Sequence, residues 1–181
     1  MKQSESMSAK MNQSVKSVIV LVAICLVVTS LLAGVNHITA PIIKEKQDAI
    51  KYASMYEVLP QAQGFEDIEL TADMPQTITG IYKETSGNGY VVTAATSSQY
   101  SNGDMMFTIG MNGEGKIVDI KLTQYTDSKD FGADYPSKYI GADASSVSGV
   151  DTVGGVTYSS TAFKNAVADA FTALSIAGEG N

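Results

Sequence analysis

The stretch MMFTIGMNGEGKIVDIKLTQY, residues 105–125, decides the fold class. Two runs rich in strand-forming residues flank the triplet Gly-Glu-Gly, which is typical of a β-hairpin. In the second run apolar and polar residues alternate, which predicts a strand with one buried and one solvated face. The apolar positions are Val118, Ile120 and Leu122, and they alternate with Asp119 and Lys121.

A second pair of strands precedes this hairpin. Residues 77–84 (TITGIYKE) and 90–96 (YVVTAAT) are β-rich, and the turn-forming run TSGNG separates them. Residues 61–76, ahead of these strands, have the composition of a polar loop. Consecutive strands joined by short turns predict an antiparallel sheet.

An irregular region and a helix follow the sheet. Residues 126–155 are rich in Gly, Ser and Asp, which predicts a long loop. The apolar residues beyond it recur at helical spacing, and Gly178 with the polar tail ends the pattern. The predicted buried face consists of Phe163, Ala166, Val167, Ala170, Phe171 and Leu174. The order of elements predicts an α+β fold.

The N-terminal region carries a membrane signal. Residues 17–35 contain no charged side chain, and about 20 apolar residues span the hydrocarbon core as a helix. Three lysines against one glutamate precede the span, which favours a cytoplasmic N-terminus. A cleaved signal peptide is the alternative, but the apolar run is long for one and the cleavage signal is poor. We predict a cytoplasmic segment over 1–16 and a transmembrane helix over 17–36.

A stalk helix is predicted over 37–60, between the membrane and the domain. Pro41 suits the first turn of a helix, and Pro60 stops it. Its predicted apolar face consists of Ile42, Ala49, Ile50, Ala53 and Tyr56. The remaining residues, 61–181, form the predicted extracytoplasmic domain.

Composition excludes several classes of function. The net charge is −7, and all 12 basic side chains are lysines, so nucleic-acid binding is not expected. Cys25 is the only cysteine and is read as a small apolar residue of the membrane helix. His37, the only histidine, is read as an interfacial polar residue, so the domain has no imidazole to activate a Ser or Thr nucleophile. Neither hydrolytic chemistry nor a metal centre is predicted.

The motif DTVGGVTYSSTAF, residues 151–163, is the strongest chemical signal. Gly154 and Gly155 predict a turn that lets the backbone approach another group closely. Ser159 and Ser160 offer caps for a helix predicted to begin near Ser160. Thr157 then lies where a helix N-terminus can hold an anion, although a simple turn residue is the alternative.

This motif resembles the flavin-attachment motif of the FMN-binding domain family. The family has an Asp, two variable residues, Ser or Thr, Gly, Ala and a final Thr, and residues 151–157 read Asp-Thr-Val-Gly-Gly-Val-Thr. Gly154 replaces the usual Ser or Thr, and Val156 replaces the usual Ala. The domain occurs in the G subunit of Rnf-type ion-translocating oxidoreductases and in the C subunit of the Na⁺-translocating NADH:quinone reductase.

Other segments carry the same resemblance. The anchor, the APII sequence just beyond it and the stalk are typical of the G subunit. The segment QYSNGDMMFTIGMNGEGKIVDIKL is similar to the strands of the family. DSKDFGADYPSKYIG stands where the family has a Glu-Thr-Pro-Gly-Leu-Gly loop; Gly132 is retained, and Asp127 and Ser128 are mild replacements.

The resemblance implies a covalent cofactor. In the family the final Thr is esterified to the phosphate of FMN, and Thr157 corresponds to it. Aromatic residues Tyr100, Tyr125, Phe131 and Tyr158 are candidates to contact the ring. The predicted FMN-binding residues are Asp151, Gly154, Gly155, Val156, Thr157, Tyr158, Ser159, Ser160, Tyr100 and Phe131.

The resemblance also implies a function and partners. It indicates an electron-transfer subunit of an Rnf-type ferredoxin:NAD⁺ oxidoreductase that moves Na⁺ or H⁺, with other membrane subunits and a separate flavin transferase. Two alternatives stay open. One is a stand-alone flavinylated relay for extracytoplasmic reduction, and the other is a membrane-tethered binding or assembly module without flavin.

Overall fold

A computed structural model describes residues 2–99 and 104–178. The chain divides into two compact units, Met1–Asp48 and Ala49–Asn181. The helices are α1 (Lys2–Val58) and α2 (Thr157–Ile176), and the strands are β1 (Phe65–Ile68), β2 (Ile78–Glu84), β3 (Gly89–Thr96), β4 (Met105–Asn112) and β5 (Ile117–Gln124).

The first unit consists of helix. The segment Val15–His37 has 23 residues and a mean hydropathy of 3.0, so it is long and apolar enough to cross a membrane. The predicted span over 17–36 lies within it. The stalk was predicted as a helix over 37–60, with Pro41 in its first turn and distinct from the transmembrane helix, whereas α1 continues without a break through Pro41. Ile42 of the predicted stalk face lies among residues whose side chains are not described.

The second unit is built on a five-stranded antiparallel sheet, in the order β1-β2-β3-β4-β5. The four predicted strands are confirmed as β2 to β5, as are the hairpin turns between them. The prediction of a polar loop over 61–76 was wrong in part, because this segment contains β1. The strand β1 pairs with β2, and Phe65 lies opposite Glu84. With four residues, β1 has too little local pattern to be recognised, and its hydrogen bonds come from a distant partner.

The strand β5 carries a bulge that the alternating pattern did not predict. Gly110 pairs with Asp119 while Met111 pairs with Ile117, so Val118 has no partner residue on β4. The predicted buried position of Val118 was therefore wrong: its side chain is 38% exposed, whereas Ile117 is buried. An extra residue in one strand shifts the alternation of faces on one side of the bulge.

The end of α1 packs on one face of the sheet through a different helical face from the predicted one. Met55 and Val58 are fully buried against Tyr82 and Val91, whereas Ile50 is 57% exposed. Of the other predicted face residues in this unit, Ala49, Ala53 and Tyr56 are also exposed. The shape of the sheet surface determines which face of α1 is buried. A Cβ on Gly110 would stand 2.6 Å from the Val58 carbonyl oxygen, so only a glycine at position 110 lets the helix backbone come this close to β4.

The helix α2 packs on the other face of the sheet and closes the main core. Neighbouring strand residues alternate between the faces: Ile81 and Val92 belong to the core beneath α2. The predicted buried face of α2 is confirmed for five of its six residues, with Phe163, Val167 and Leu174 at most 2% exposed, whereas Phe171 is only partly buried. Gly178 follows the helix with φ +76°, as a C-terminal glycine should.

The predicted irregular region is confirmed, with two short 3₁₀ helices, Pro136–Tyr139 and Val147–Gly149. The sequence did not predict that this loop supplies core aromatics. Tyr135 and Tyr139 are at most 1% exposed, and both pack against Phe163. The loop is thereby fixed to α2, and its position relative to the motif at the helix start follows from this packing.

Candidate functional site

The two motif glycines form the predicted turn. The Val156 amide donates a hydrogen bond to the Val153 carbonyl over 3.2 Å, and Gly155 has φ +84°. Positive φ at the third position of a turn requires glycine, as in a type II turn. Gly154 is under no such constraint: its φ is not positive, and a Cβ added there would meet no heavy atom within 4 Å.

The helix α2 begins at Thr157, three residues before the predicted start near Ser160. Val156 is the N-cap residue, and no side chain caps the helix. The predicted capping roles of Ser159 and Ser160 were therefore wrong, and Ser160 has a different role. Its buried hydroxyl instead accepts a hydrogen bond from the Val153 amide (3.0 Å) and donates to the Val156 carbonyl (3.0 Å). Ser160 thus ties the turn to the first turn of the helix.

Thr157 is the first helical residue, and its side chain is exposed. The first amide to bond back within the helix is that of Ser160, which donates to the Val156 carbonyl over 3.0 Å. The amides of residues 157–159 precede that bond and form the positive end of the helix dipole. Such an end favours an anion, so the Thr157 hydroxyl stands beside an anion-binding group of amides.

A cavity of about 430 Å³ lies at this helix start. Its volume is within the range of small-molecule sites. One wall comes from the motif and the first turn of α2, and the other comes from the loop that follows β5. The lining residues are Asp127, Ser128, Lys129, Gly155, Val156, Thr157, Tyr158 and Ser159.

The loop wall is held to the domain by hydroxyl groups. The Ser98 hydroxyl donates to the Asp127 carboxylate over 2.5 Å, and the Ser159 hydroxyl donates to Ser98 over 3.5 Å. The Tyr125 hydroxyl donates to the Lys129 carbonyl over 2.5 Å. Burial raises the pKa of Tyr125, so this donor keeps its proton at neutral pH.

Of the predicted FMN-binding residues that the structure describes, Asp151, Gly154 and Phe131 do not line the cavity. Asp151 is exposed, and Gly154 adjoins the wall in the turn. Phe131 is only 5% exposed and packs against Tyr125 and Tyr135 in the core, where it supports the loop. Its contact with a ring stays a prediction. Tyr100 lies outside the described residues.

Sequence reasoning did not select Lys129. The residue lies in a loop of mixed charge, where a lysine carries no distinctive pattern. The absence of arginine was a usable signal, because any permanently positive side chain at a site in this chain has to be one of its 12 lysines. Only the fold shows which lysine lines the cavity with Thr157.

Two protein-family models match the chain, and one of them covers the residues that line the cavity. The FMN-binding domain model matches residues 101–172, and the RnfG N-terminal region matches residues 1–58. None of the curated proteins compared with the chain matches it. The exposed hydroxyl, the anion-binding amides and a cavity of ligand size fit a phosphorylated flavin.

The order of the two matches, an RnfG N-terminal region and then an FMN-binding domain behind a membrane-length helix, places the chain in the FMN-binding domain family as an RnfG subunit of an Rnf complex.

Proposed function

We propose that Thr157 carries FMN through a phosphoester bond and that the subunit passes electrons through this flavin. The carrying observation is the position of Thr157, exposed at the first residue of α2 on the wall of the cavity. Thr161, one helical turn later, is also exposed but does not line the cavity.

The bond forms by transfer of an FMN group from FAD on a separate flavin transferase. The Thr157 oxygen attacks the phosphorus nearer the riboflavin, the bond between the two phosphates breaks, and AMP leaves. The proton of the Thr157 hydroxyl passes to a base of the transferase or to water. The exposed hydroxyl supports this step because the second enzyme must reach it.

The residues around Thr157 orient the product. Amides of residues 157–159 donate toward a phosphate held at the helix start, and Gly155 keeps the turn close to it. The walls at 127–129 and 155–159 would shield a flavin held in the cavity from water on two sides. When bound, FMN supplies one- and two-electron redox chemistry. Because the bond is covalent, retention does not depend on arginine, which this chain lacks.

The membership in an Rnf complex supports a place for the subunit in a larger pathway. We propose that it relays electrons within a ferredoxin:NAD⁺ oxidoreductase coupled to Na⁺ or H⁺ movement. We further propose that the N-terminus is cytoplasmic and the domain extracytoplasmic, since lysines outnumber acidic residues before the span. A tethered flavin suits that side, where a dissociated cofactor diffuses away.

The first experiment tests the attachment residue. The full chain is coexpressed with a flavin transferase, denatured and examined for flavin fluorescence in a gel and for intact mass. We expect one FMN group less one water on the native chain and on Thr161→Ala, and none on Thr157→Ala. A Thr157→Ala chain that is fluorescent and still carries the added mass of one FMN group less one water would overturn the assignment.

The second experiment tests the complex. We expect the flavinylated chain to copurify with several polytopic membrane proteins that reduce NAD⁺ from ferredoxin. Purification alone, with rapid reduction of an external acceptor, would instead establish the stand-alone relay.

A further inference from the structure

The cavity contains one positively charged side chain, Lys129, among its lining residues. Within residues 2–99 and 104–178, no carboxylate lies within ion-pair distance of the Lys129 ammonium, in contrast to the ammonium groups of Lys116, which pairs with Glu114, and of Lys121, which pairs with Glu57. The side chain of Lys129 is exposed, while its backbone carbonyl is fixed by the Tyr125 hydroxyl. The position of the residue is therefore defined, and its charge is available to a ligand.

The other charged group of the cavity, the Asp127 carboxylate, is held within the loop through one of its oxygens. The Asp127 carboxylate is partly buried and accepts the short hydrogen bond from Ser98. A hydroxyl donor compensates part of that negative charge and holds the carboxylate in the loop. The two charges thus differ: the Asp127 carboxylate is hydrogen-bonded within the protein, whereas the Lys129 ammonium, on an exposed side chain of a lining residue, has no ion-pair partner among the described residues.

The two walls of the cavity would contact different parts of the cofactor. A phosphate attached at Thr157 lies beside the amides of the helix start, which already provide donors for its negative charge. Lys129 belongs to the wall at 127–129, which comes from the loop after β5, whereas the attachment wall at 155–159 comes from the motif turn and the start of α2. A flavin tethered at Thr157 and occupying this cavity would extend from the attachment wall, and the loop wall with Lys129 is where its ring, the part remote from the phosphate, could be held.

We propose that Lys129 is a positioning residue that places its ammonium against the flavin ring and raises the reduction potential of the bound flavin. The inference rests on the proposed attachment to Thr157. Two electrons from a low-potential donor and one proton from water convert the neutral oxidised ring to a reduced ring with one negative charge. A nearby ammonium stabilises the charged reduced ring more than the neutral oxidised ring, which favours reduction.

The test measures the midpoint potential of the full flavinylated chain at about pH 8, by spectroelectrochemistry. We expect Lys129→Gln to lower the equilibrium constant for two-electron reduction about tenfold, which corresponds to about 30 mV. Lys129→Arg keeps the charge and should stay near the native potential. Lys116→Gln is the matched control, since it removes the same charge from an exposed lysine outside the cavity.

Flavin fluorescence of the denatured Lys129→Gln chain separates the two proposals. A chain with covalent flavin and a native potential would overturn the role of Lys129 and leave attachment at Thr157 intact. A Thr157→Ala chain that retains covalent flavin would overturn the attachment itself.

Noncovalent binding by Thr157→Ala provides a second measurement. If Lys129 acts on the ring, adding Lys129→Gln to this variant raises the dissociation constants of reduced FMN and of reduced riboflavin by equal factors, because riboflavin has the ring but no phosphate. A loss confined to FMN would assign Lys129 to the phosphate and overturn the placement against the ring.

Discussion

At the scale of single residues, the two motif glycines have different physical roles. Gly155 has a positive φ that other residues adopt at a cost, whereas Gly154 has neither a positive φ nor a close neighbour. The family pattern, with Ser or Thr at the first position and Gly at the second, agrees with this difference. The departure at Gly154 therefore leaves the turn intact.

The glycines give a paired prediction. Gly155→Ala should lower the free energy of unfolding by about 1–2 kcal/mol, because alanine is strained at φ +84°. Gly154→Ala should raise it by about 0.4–1 kcal/mol, because it restricts only the unfolded chain. Urea unfolding of the detergent-solubilised chain measures both. Equal effects of the two substitutions would contradict the assigned turn.

Ser160 gives a second prediction at this scale. Ser160→Ala removes the acceptor of the Val153 amide and should lower the free energy of unfolding by about 1–3 kcal/mol. Thr161→Ala, at an exposed position next to it, should change the free energy by less than about 0.5 kcal/mol. The same unfolding measurement applies, and indistinguishable variants would show that the serine does not hold the turn.

At the scale of elements, the contact between α1 and the sheet depends on one glycine and one polar pair. Gly110 admits the Val58 backbone, and the hydroxyls of Ser54 and Thr108 lie 2.8 Å apart in the buried contact. An apolar helical face alone does not specify this geometry. It requires a gap in the sheet surface and a matching hydroxyl on the facing strand.

Substitution of Gly110 tests this contact. Gly110→Ala places a methyl group 2.6 Å from the Val58 carbonyl oxygen and should lower the free energy of unfolding by about 1–3 kcal/mol. Gly113→Ala is the control, because its Cβ would meet atoms only at 3.7 Å and its φ is not positive. Thermal unfolding compares them. A Gly110→Ala protein with the native free energy of unfolding would show that the helix can move away from β4 without losing stability.

The β2–β3 hairpin gives a prediction about pH. The Glu84 carboxylate accepts hydrogen bonds from the Ser86 hydroxyl and from the amides of Ser86, Asn88 and Gln63, and these lower its pKa to about 2. A pKa lower in the folded than in the unfolded chain adds stability above the usual value of 4.5, and this stability is lost as the pH falls toward about 2.

Glu84→Gln tests this linkage. The variant should be less stable than the native chain at neutral pH, and its stability should fall less steeply between about pH 4.5 and 2. Unfolding by urea at a series of pH values measures the slope. A variant with the native slope would mean that other carboxylates control the acid response.

At the scale of the whole molecule, the chain combines a membrane-length helix with a domain that carries the flavin site. The single cysteine, Cys25, lies in that helix, so Cys25→Ser gives a chain without thiols. On this background, Glu114→Cys should react with a membrane-impermeant maleimide in intact cells, whereas Ser14→Cys should react only after permeabilisation. The reverse pattern would place the domain in the cytoplasm.

The sequence by itself determined the features that depend on neighbouring residues. The apolar run of the anchor, the hairpins around β2 to β5, the apolar face of α2 and the turn at Gly155 were all predicted correctly. Turn chemistry and the periods of strand and helix act over a few residues, so they can be read locally.

Only the tertiary structure decided the features that depend on distant partners. The pairing of β1, the buried face at the end of α1, the bulge at Val118 and the hydrogen bonds of Ser160 each required a contact remote in sequence or a geometry set by packing. The same reason applies to the site. Nothing local to Lys129 relates it to Thr157, and the two line one cavity because the loop that follows β5 is packed against α2.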